Sequence, residues 1–328
     1  MKLQYSLLAS AALLLSLNLN AQDPVTQVKS ANEPYKVQYK DLEIGNVNLT
    51  QKVLQSWKEF ETNNFQKSNL ILADNVRTSL PDGSTINGIE AFYTVSREMR
   101  NSLAAVVLDV DAITTVKSPD DPQHEFVLAW GSETDTKKDG TIEKFNFHEV
   151  WTFNKEGKAV NIQSYAAAEK PGNKQEQVAQ VKSVNQPYKV HYEDLKIGNL
   201  AYTQTVLKLW KEFATDNLDK HISFFSDNIV SISPDGTVVK GAENFHKIVK
   251  DYRNSLAAVT GSVRAITTLK SPSDPDHEFV VIWGTGTNTK KDGSVQKTHN
   301  HEIWAFNKQG KIDEIRGFEA ADSPVNKK

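Results

Sequence analysis

The chain has 328 residues, 24% of them charged, a formal net charge of −3 and no cysteine. Without cysteine there are no disulfides, thiolate metal sites, cysteine nucleophile or lipid attachment through sulfur. Charges of both signs are interspersed without a basic stripe, which argues against nucleic acid or an anionic membrane surface as partner.

Residues 1–21 read as a secretory signal peptide. Lys2 supplies a short positive start, an apolar run extends from Leu7 to Leu19, and Leu19-Asn20-Ala21 ends on a small residue suited to cleavage. The run is too short for a spanning helix, and no other stretch is long enough to cross a bilayer. The mature chain is therefore expected to be soluble and exported, periplasmic or secreted, and not a lipoprotein.

Past the leader the chain repeats itself. Displaced by 153 residues, it aligns with itself without a gap, and 76 of the 145 pairs from Val25 on Val178 to Glu169 on Asp322 are identical. A period this long is a whole domain rather than a solenoid unit. The division expected is copy one over residues 22–169, a polar linker with Pro171-Gly172 over 170–180, and copy two over 181–328. Each copy is long enough to bury a core without disulfides.

Each copy opens on an alternating segment, Tyr35-Lys36-Val37-Gln38-Tyr39 or Tyr188-Lys189-Val190-His191-Tyr192, which predicts a short extended piece. Asn46 or Asn48 suits a helix cap. Val53, Leu54, Trp57 and Phe60, with Val206, Leu207, Trp210 and Phe213, recur at helical spacing and predict a first amphipathic helix. A short second helix is expected over 66–73 and 219–226. A brief strand over 77–80 and 230–233 runs into Pro81-Asp82-Gly83 and Pro234-Asp235-Gly236, where proline presets φ and glycine accepts a positive φ. A third helix starts near Gly88 and Gly241. The period then changes to two, through Val106 to Val116, Phe126 to Trp130 and Phe145 to Phe153, with a hairpin at Lys138-Asp139-Gly140. The pattern predicts an α+β fold: three N-terminal helices packed on a curved, mostly antiparallel sheet, twice in tandem.

These pieces carry a resemblance. Ala73-Asp74-Asn75, the Pro-Asp-Gly turn, Gly88-Ile89-Glu90-Ala91-Phe92 and the closing hairpin from His148 to Lys158 resemble the nuclear-transport-factor-2-like superfamily, nearest its SnoaL-like and ketosteroid-isomerase-like branch. The resemblance covers about 47–168 and 200–321. It implies two cone-shaped domains, each with a pocket between the concave sheet face and the helices. In the isomerase branch a general-base Asp ends the short strand, and a helix Tyr and a late-strand acid form the oxyanion hole. Carried over, the base falls on Leu80 and Ser233 and the tyrosine on Ser56 and Leu209. Only the acid persists, as Glu149 and Glu302, so isomerase activity is not implied.

Glu149 and Glu302 share strand parity with Trp151 and Trp304. They are the catalytic candidates, as general acid or base; the alternative is a glutamate that only satisfies a backbone or indole N–H. Trp57, Trp130, Trp151, Trp210, Trp283 and Trp304 are all six tryptophans, as pocket walls or as core. His148 and His301 have the opposite parity and belong on the convex face, where the superfamily often dimerises. His299 and His301 are two apart on one strand and make a weak half-site for a metal; no cofactor is expected.

The function expected is a non-catalytic exported protein that binds an apolar small molecule or a protein partner. Its copies would pair through the sheet face, as an intramolecular pseudo-dimer or a homodimer. The alternatives are an enzyme of isomerase or hydrolase type using Glu149 or Glu302, and a structural module without ligand.

Overall fold

A computed structural model describes residues 35–39, 41–65, 71–169, 188–192, 194–218 and 221–322. The expected signal peptide, 1–21, and the expected linker, 170–180, lie outside the described residues. In the first half the order is β1 (Val37–Tyr39), β2 (Glu43–Ile44), α1 (Asn48–Glu61), β3 (Leu72–Ser79), β4 (Thr85–Asn87), α2 (Ile89–Ser102), β5 (Leu103–Lys117), β6 (His124–Lys137), β7 (Ile142–Asn154) and β8 (Ala159–Ala168). The second half repeats it as β9 (Val190–Tyr192), β10 (Lys196–Ile197), α3 (Ala201–Ala214), β11 (Phe225–Ile232), β12 (Val238–Lys240), α4 (Ala242–Ser255), β13 (Leu256–Ser271), β14 (Asp274–Lys290), β15 (Val295–Asn307) and β16 (Ile312–Ala321). The architecture is α+β.

The short second helix requires correction. In the second half its place holds one 3₁₀ turn, His221–Phe224, before β11 begins at Phe225. In the first half β3 already starts at Leu72, and residues 66–70 lie outside the described residues. Leu72, Val76 and Thr78 are buried, as Phe225, Ile229 and Ser231 are in β11. That inward row holds these stretches against the sheet and extends both strands beyond the four residues expected. The N-cap of α1 is Val47, without a side-chain cap, rather than Asn46 or Asn48; the Asn46 side-chain oxygen accepts from the Asn48 N–H at 3.1 Å just before it.

In each half the long strands form an antiparallel meander, β5-β6-β7-β8 and β13-β14-β15-β16. β3 and β11 add in parallel to β8 and β16. Among several register shifts, those between Val110 and Ala112 and between Val263 and Ala265 interrupt the middle of the long strands, and such bulges bend a sheet. Gly131 faces the first bulge because a Cβ there would come within 2.3 Å of the Asp109 carbonyl.

Parity divides the side chains between two layers. Val127 and Ala129 of β6 join Trp57, Trp151 and Phe153 in the core under the helices. Phe126, Leu128 and Trp130, one residue out of step, join Val281, Trp283 and Phe318 of the second half in a core between the two sheets. The sheets also meet at their edges, where Glu319 pairs with Ala166. Each Pro-Asp-Gly turn docks on the other half: the Ala321 N–H donates to the Pro81 carbonyl at 2.8 Å, and the Ala168 N–H to that of Pro234 at 2.7 Å.

The lead segments cross over. β1 pairs in parallel with β13 of the second half, and β9 with β5 of the first. Tyr188 and Val190 thereby enter the first half's core, and Val37 with Tyr35 the second's. The Tyr35 hydroxyl donates to the Trp210 carbonyl at 3.2 Å, and that of Tyr188 to Glu61 at 3.3 Å.

Candidate functional site

Glu149 sits on the inner side of β7. The helical spacing of α1 aims Trp57 at it, and the period of two puts Trp151 beside it. Both indole N–H groups donate to the same carboxylate oxygen, at 2.8 and 2.7 Å, and the Ser164 hydroxyl donates to the other at 3.2 Å. Glu302 repeats this with Trp210 at 2.7 Å and Trp304 at 2.9 Å, but Gly317 stands where Ser164 would be. Burial raises both carboxyls above the usual range, against the pull of the donors. Both glutamates are enclosed by protein yet keep part of their surface accessible. Partly buried Phe60, Phe65, Phe92 and Phe145 pack around the first core.

Three further acids were not singled out by the sequence. Glu133 and Asp135 of β6 share parity with Val127 and Ala129 and project to the same side as Glu149. Burial pushes the Glu133 carboxyl well above its ordinary value; the Asp135 charge, a hydrogen bond to Asp135 and the Glu149 charge add to the rise, and Arg100 opposes it. Burial also raises Asp135, while the hydrogen bond from Glu133 lowers it. Glu61 of α1 accepts from the Leu108 N–H at 3.3 Å as well as from Tyr188. The corresponding residues of the second half are Gly286, Asn288 and Ala214. The first half thus has two neighbouring acids on the Glu149 side that the second lacks. The signal available in the sequence was this departure from the repeat within otherwise matching strands.

Trp130 and Trp283 require a correction, because they are not beside Glu149 or Glu302. Each is one residue out of step with the inward row, so it points away from the helices into the core between the sheets. There the Trp130 N–H donates to His301 at 2.9 Å, and the Trp283 N–H to His148 at 2.8 Å. The two imidazoles stack with centroids 3.9 Å apart, and both residues are 0% exposed. An indole N–H can only donate, so each Nε2 accepts. Each Nδ1 donates to a carbonyl, that of Ala129 at 3.0 Å or Ile282 at 3.1 Å. Both rings are held neutral, with burial pushing His301 down to about 3 and His148 well below its ordinary value.

The same bonds correct the metal half-site. Both nitrogens of His301 are engaged, while His299 turns to Asp322 at 3.2 Å. Ser56 and Leu209 are buried in their helices. Leu80 and Ser233 lead into the turns, their N–H groups donating to the Ser84 and Thr237 carbonyls at 2.9 Å.

No protein-family model matches the chain, and no curated protein does. Solved structures are similar over about a third of it. An NTF2-like protein from Burkholderia pseudomallei K96243 is 24% identical, with 36% of this chain and 90% of that one covered and a TM-score of 0.31. One from Exiguobacterium sp. 255-15 is 18% identical, with 37% and 99% covered and a TM-score of 0.30. A putative SnoaL-like polyketide cyclase from Jannaschia sp. CCS1 is 11% identical, with 43% and 90% covered and a TM-score of 0.30. The chain is thus similar to solved proteins described as NTF2-like and SnoaL-like, the superfamily its residues resemble.

Proposed function

We propose that the chain is an exported, non-catalytic binding protein made of two SnoaL-like copies packed as an intramolecular pseudo-dimer. Each copy takes an apolar small molecule beside Glu149 or Glu302. The observation that carries this reading is the carboxyl of Glu149, fixed by two indoles and a serine and partly accessible beside a core with aromatic side chains packed around it. Such a group orients a ligand that is otherwise held by apolar contact. The non-catalytic part rests on the family's base and tyrosine positions, which carry Leu80, Ser233, Ser56 and Leu209.

The test is native mass spectrometry of protein purified without denaturant, followed by titration with an apolar fluorophore. A bound small molecule, or saturable fluorophore binding weakened by Glu149→Gln, supports the reading. A protein that carries nothing and binds no apolar probe refutes it and leaves a structural module.

The Glu133–Asp135 pair favours a second reading, an enzyme with acid–base chemistry in the first half alone. A donor carboxylic acid beside an acceptor carboxylate is a proton-transfer pair. An activity found in a substrate screen that persists in Glu149→Gln, Glu302→Gln and Glu133→Gln would exclude that reading.

A further inference from the structure

On the seam between the halves lies a cleft of about 520 Å³, within the range of small-molecule sites. Arg77 of the first half and Arg264 of the second both line it. Among the described residues neither guanidinium is ion-paired, although the cleft contains acids. Asp121 is taken by His124 at 2.9 Å, and Asp322 by Lys297 at 2.9 Å and His299 at 3.2 Å. The Arg264 guanidinium lies 6.0 Å from the centre of the Tyr39 ring, a contact that restrains it. The rest of the lining is rich in hydrogen-bonding groups, including Asn161, Gln163 and Thr152.

The repeat supplies an internal comparison. The second half places Val230 where Arg77 stands, and the first half places Asp111 where Arg264 stands. Gln163 is replaced by Arg316, but that arginine is ion-paired with Glu314 at 3.3 Å and lies near Asp111. The cleft presents two guanidiniums that are not ion-paired among the described residues, whereas the arginine equivalent to Gln163 in the other half is ion-paired.

We infer that the cleft bearing Arg77 and Arg264 binds a small polyhydroxylated oxyanion, such as a sugar acid or a sugar phosphate. The two arginines hold the charged end, since a guanidinium fork matches a carboxylate or phosphate. Asn161, Gln163 and Thr152 meet the hydroxyls, and the Tyr39 and Phe126 rings, 5.4 Å apart, meet the C–H faces. The site is separate from Glu149 and Glu302, neither of which lines it.

Isothermal titration of the full chain with glucuronate, glucose 6-phosphate, glucose and inorganic phosphate tests this. The expected result is saturable binding of glucuronate or glucose 6-phosphate with Kd below about 1 mM, none of glucose, and weakening at higher salt. Arg77→Ala and Arg264→Ala should each weaken it about tenfold, while Arg316→Ala, at the repeat position equivalent to Gln163 and outside the cleft lining, leaves it unchanged. Glucuronate and glucose 6-phosphate separate the carboxylate from the phosphate source. Overturning results are no saturable binding of either, binding indifferent to both substitutions, or inorganic phosphate bound as tightly as glucose 6-phosphate, which would leave the hydroxyl contacts without a role.

Discussion

Acidification is expected to loosen the contact between the two sheets, and His301 sets the size of the effect. Its ordinary value of 6.5 is pushed down to about 3 by burial, with the bond to the Ile282 carbonyl opposing. The unfolded chain takes up this proton as pH falls through 6.5, while the folded chain refuses it until about 3. Stability is therefore intact above 6.5 and declines by about 1.4 kcal/mol per pH unit below it. By roughly pH 4 the loss through His301 alone is about 3 kcal/mol. His148, held down by burial and then by its neighbour His301, acts in the same direction. Glu149 and Glu302 act in the opposite sense: their folded values are raised, so they gain relative stability as pH falls towards the unfolded value of 4.5. Urea denaturation followed by tryptophan fluorescence, at intervals from roughly pH 7 to pH 4, measures the net slope. His301→Gln isolates the imidazole, because its amide both accepts from Trp130 and donates to the Ile282 carbonyl but does not titrate in this range. The mutant should lose less stability on acidification than the parent, by about 3 kcal/mol at the acid end. Parallel pH profiles for the two proteins would refute the reasoning.

Other substitutions probe the remaining contacts. Trp283→Phe deletes the donor to His148 Nε2 and leaves that acceptor buried and unpaired, a loss of about 1–3 kcal/mol in chemical denaturation at neutral pH. Glu149→Gln removes a buried charge and keeps an acceptor for both indoles, so denaturation above neutral pH should show stability unchanged or raised. Glu149→Leu strands the two N–H groups and should cost about 1–3 kcal/mol for each. Tyr188→Ala belongs to the second half in sequence but empties a place in the first half's core. It should cost about 3–5 kcal/mol, and limited proteolysis should reach α1 and α2 before α3 and α4.

Part of the site was legible because strand parity is a local property. Alternation put Glu149 with Trp151, and His148 on the opposite face, without any coordinates. The same parity was available for Trp130, yet residue type alone leaves all six tryptophans open as pocket walls or core, and two of them belong to the other layer. Glu133 and Asp135 were overlooked because a pair of acids at the end of an alternating strand is ordinarily solvent-facing. Their enclosure depends on Glu61, Arg100 and Tyr188 arriving from elsewhere in the chain.

The sequence by itself determined the repeat, the long strands, the Pro-Asp-Gly turns, the two helices of each half and the face each strand turns inward. Those follow from periodicity and backbone preference within a few residues. Only the tertiary structure decided that β1 and β9 cross to the opposite half, that each indole finds the other half's imidazole, and that Arg77 and Arg264 line one cleft. The physical reason is distance along the chain. A three-residue strand pairs with any free edge of suitable register, and two similar edges were on offer. Tyr35 and Tyr188 are equivalent in the repeat, so what separates the two choices is contacts more than a hundred residues away, such as Tyr188 with Glu61, where the second half has Ala214.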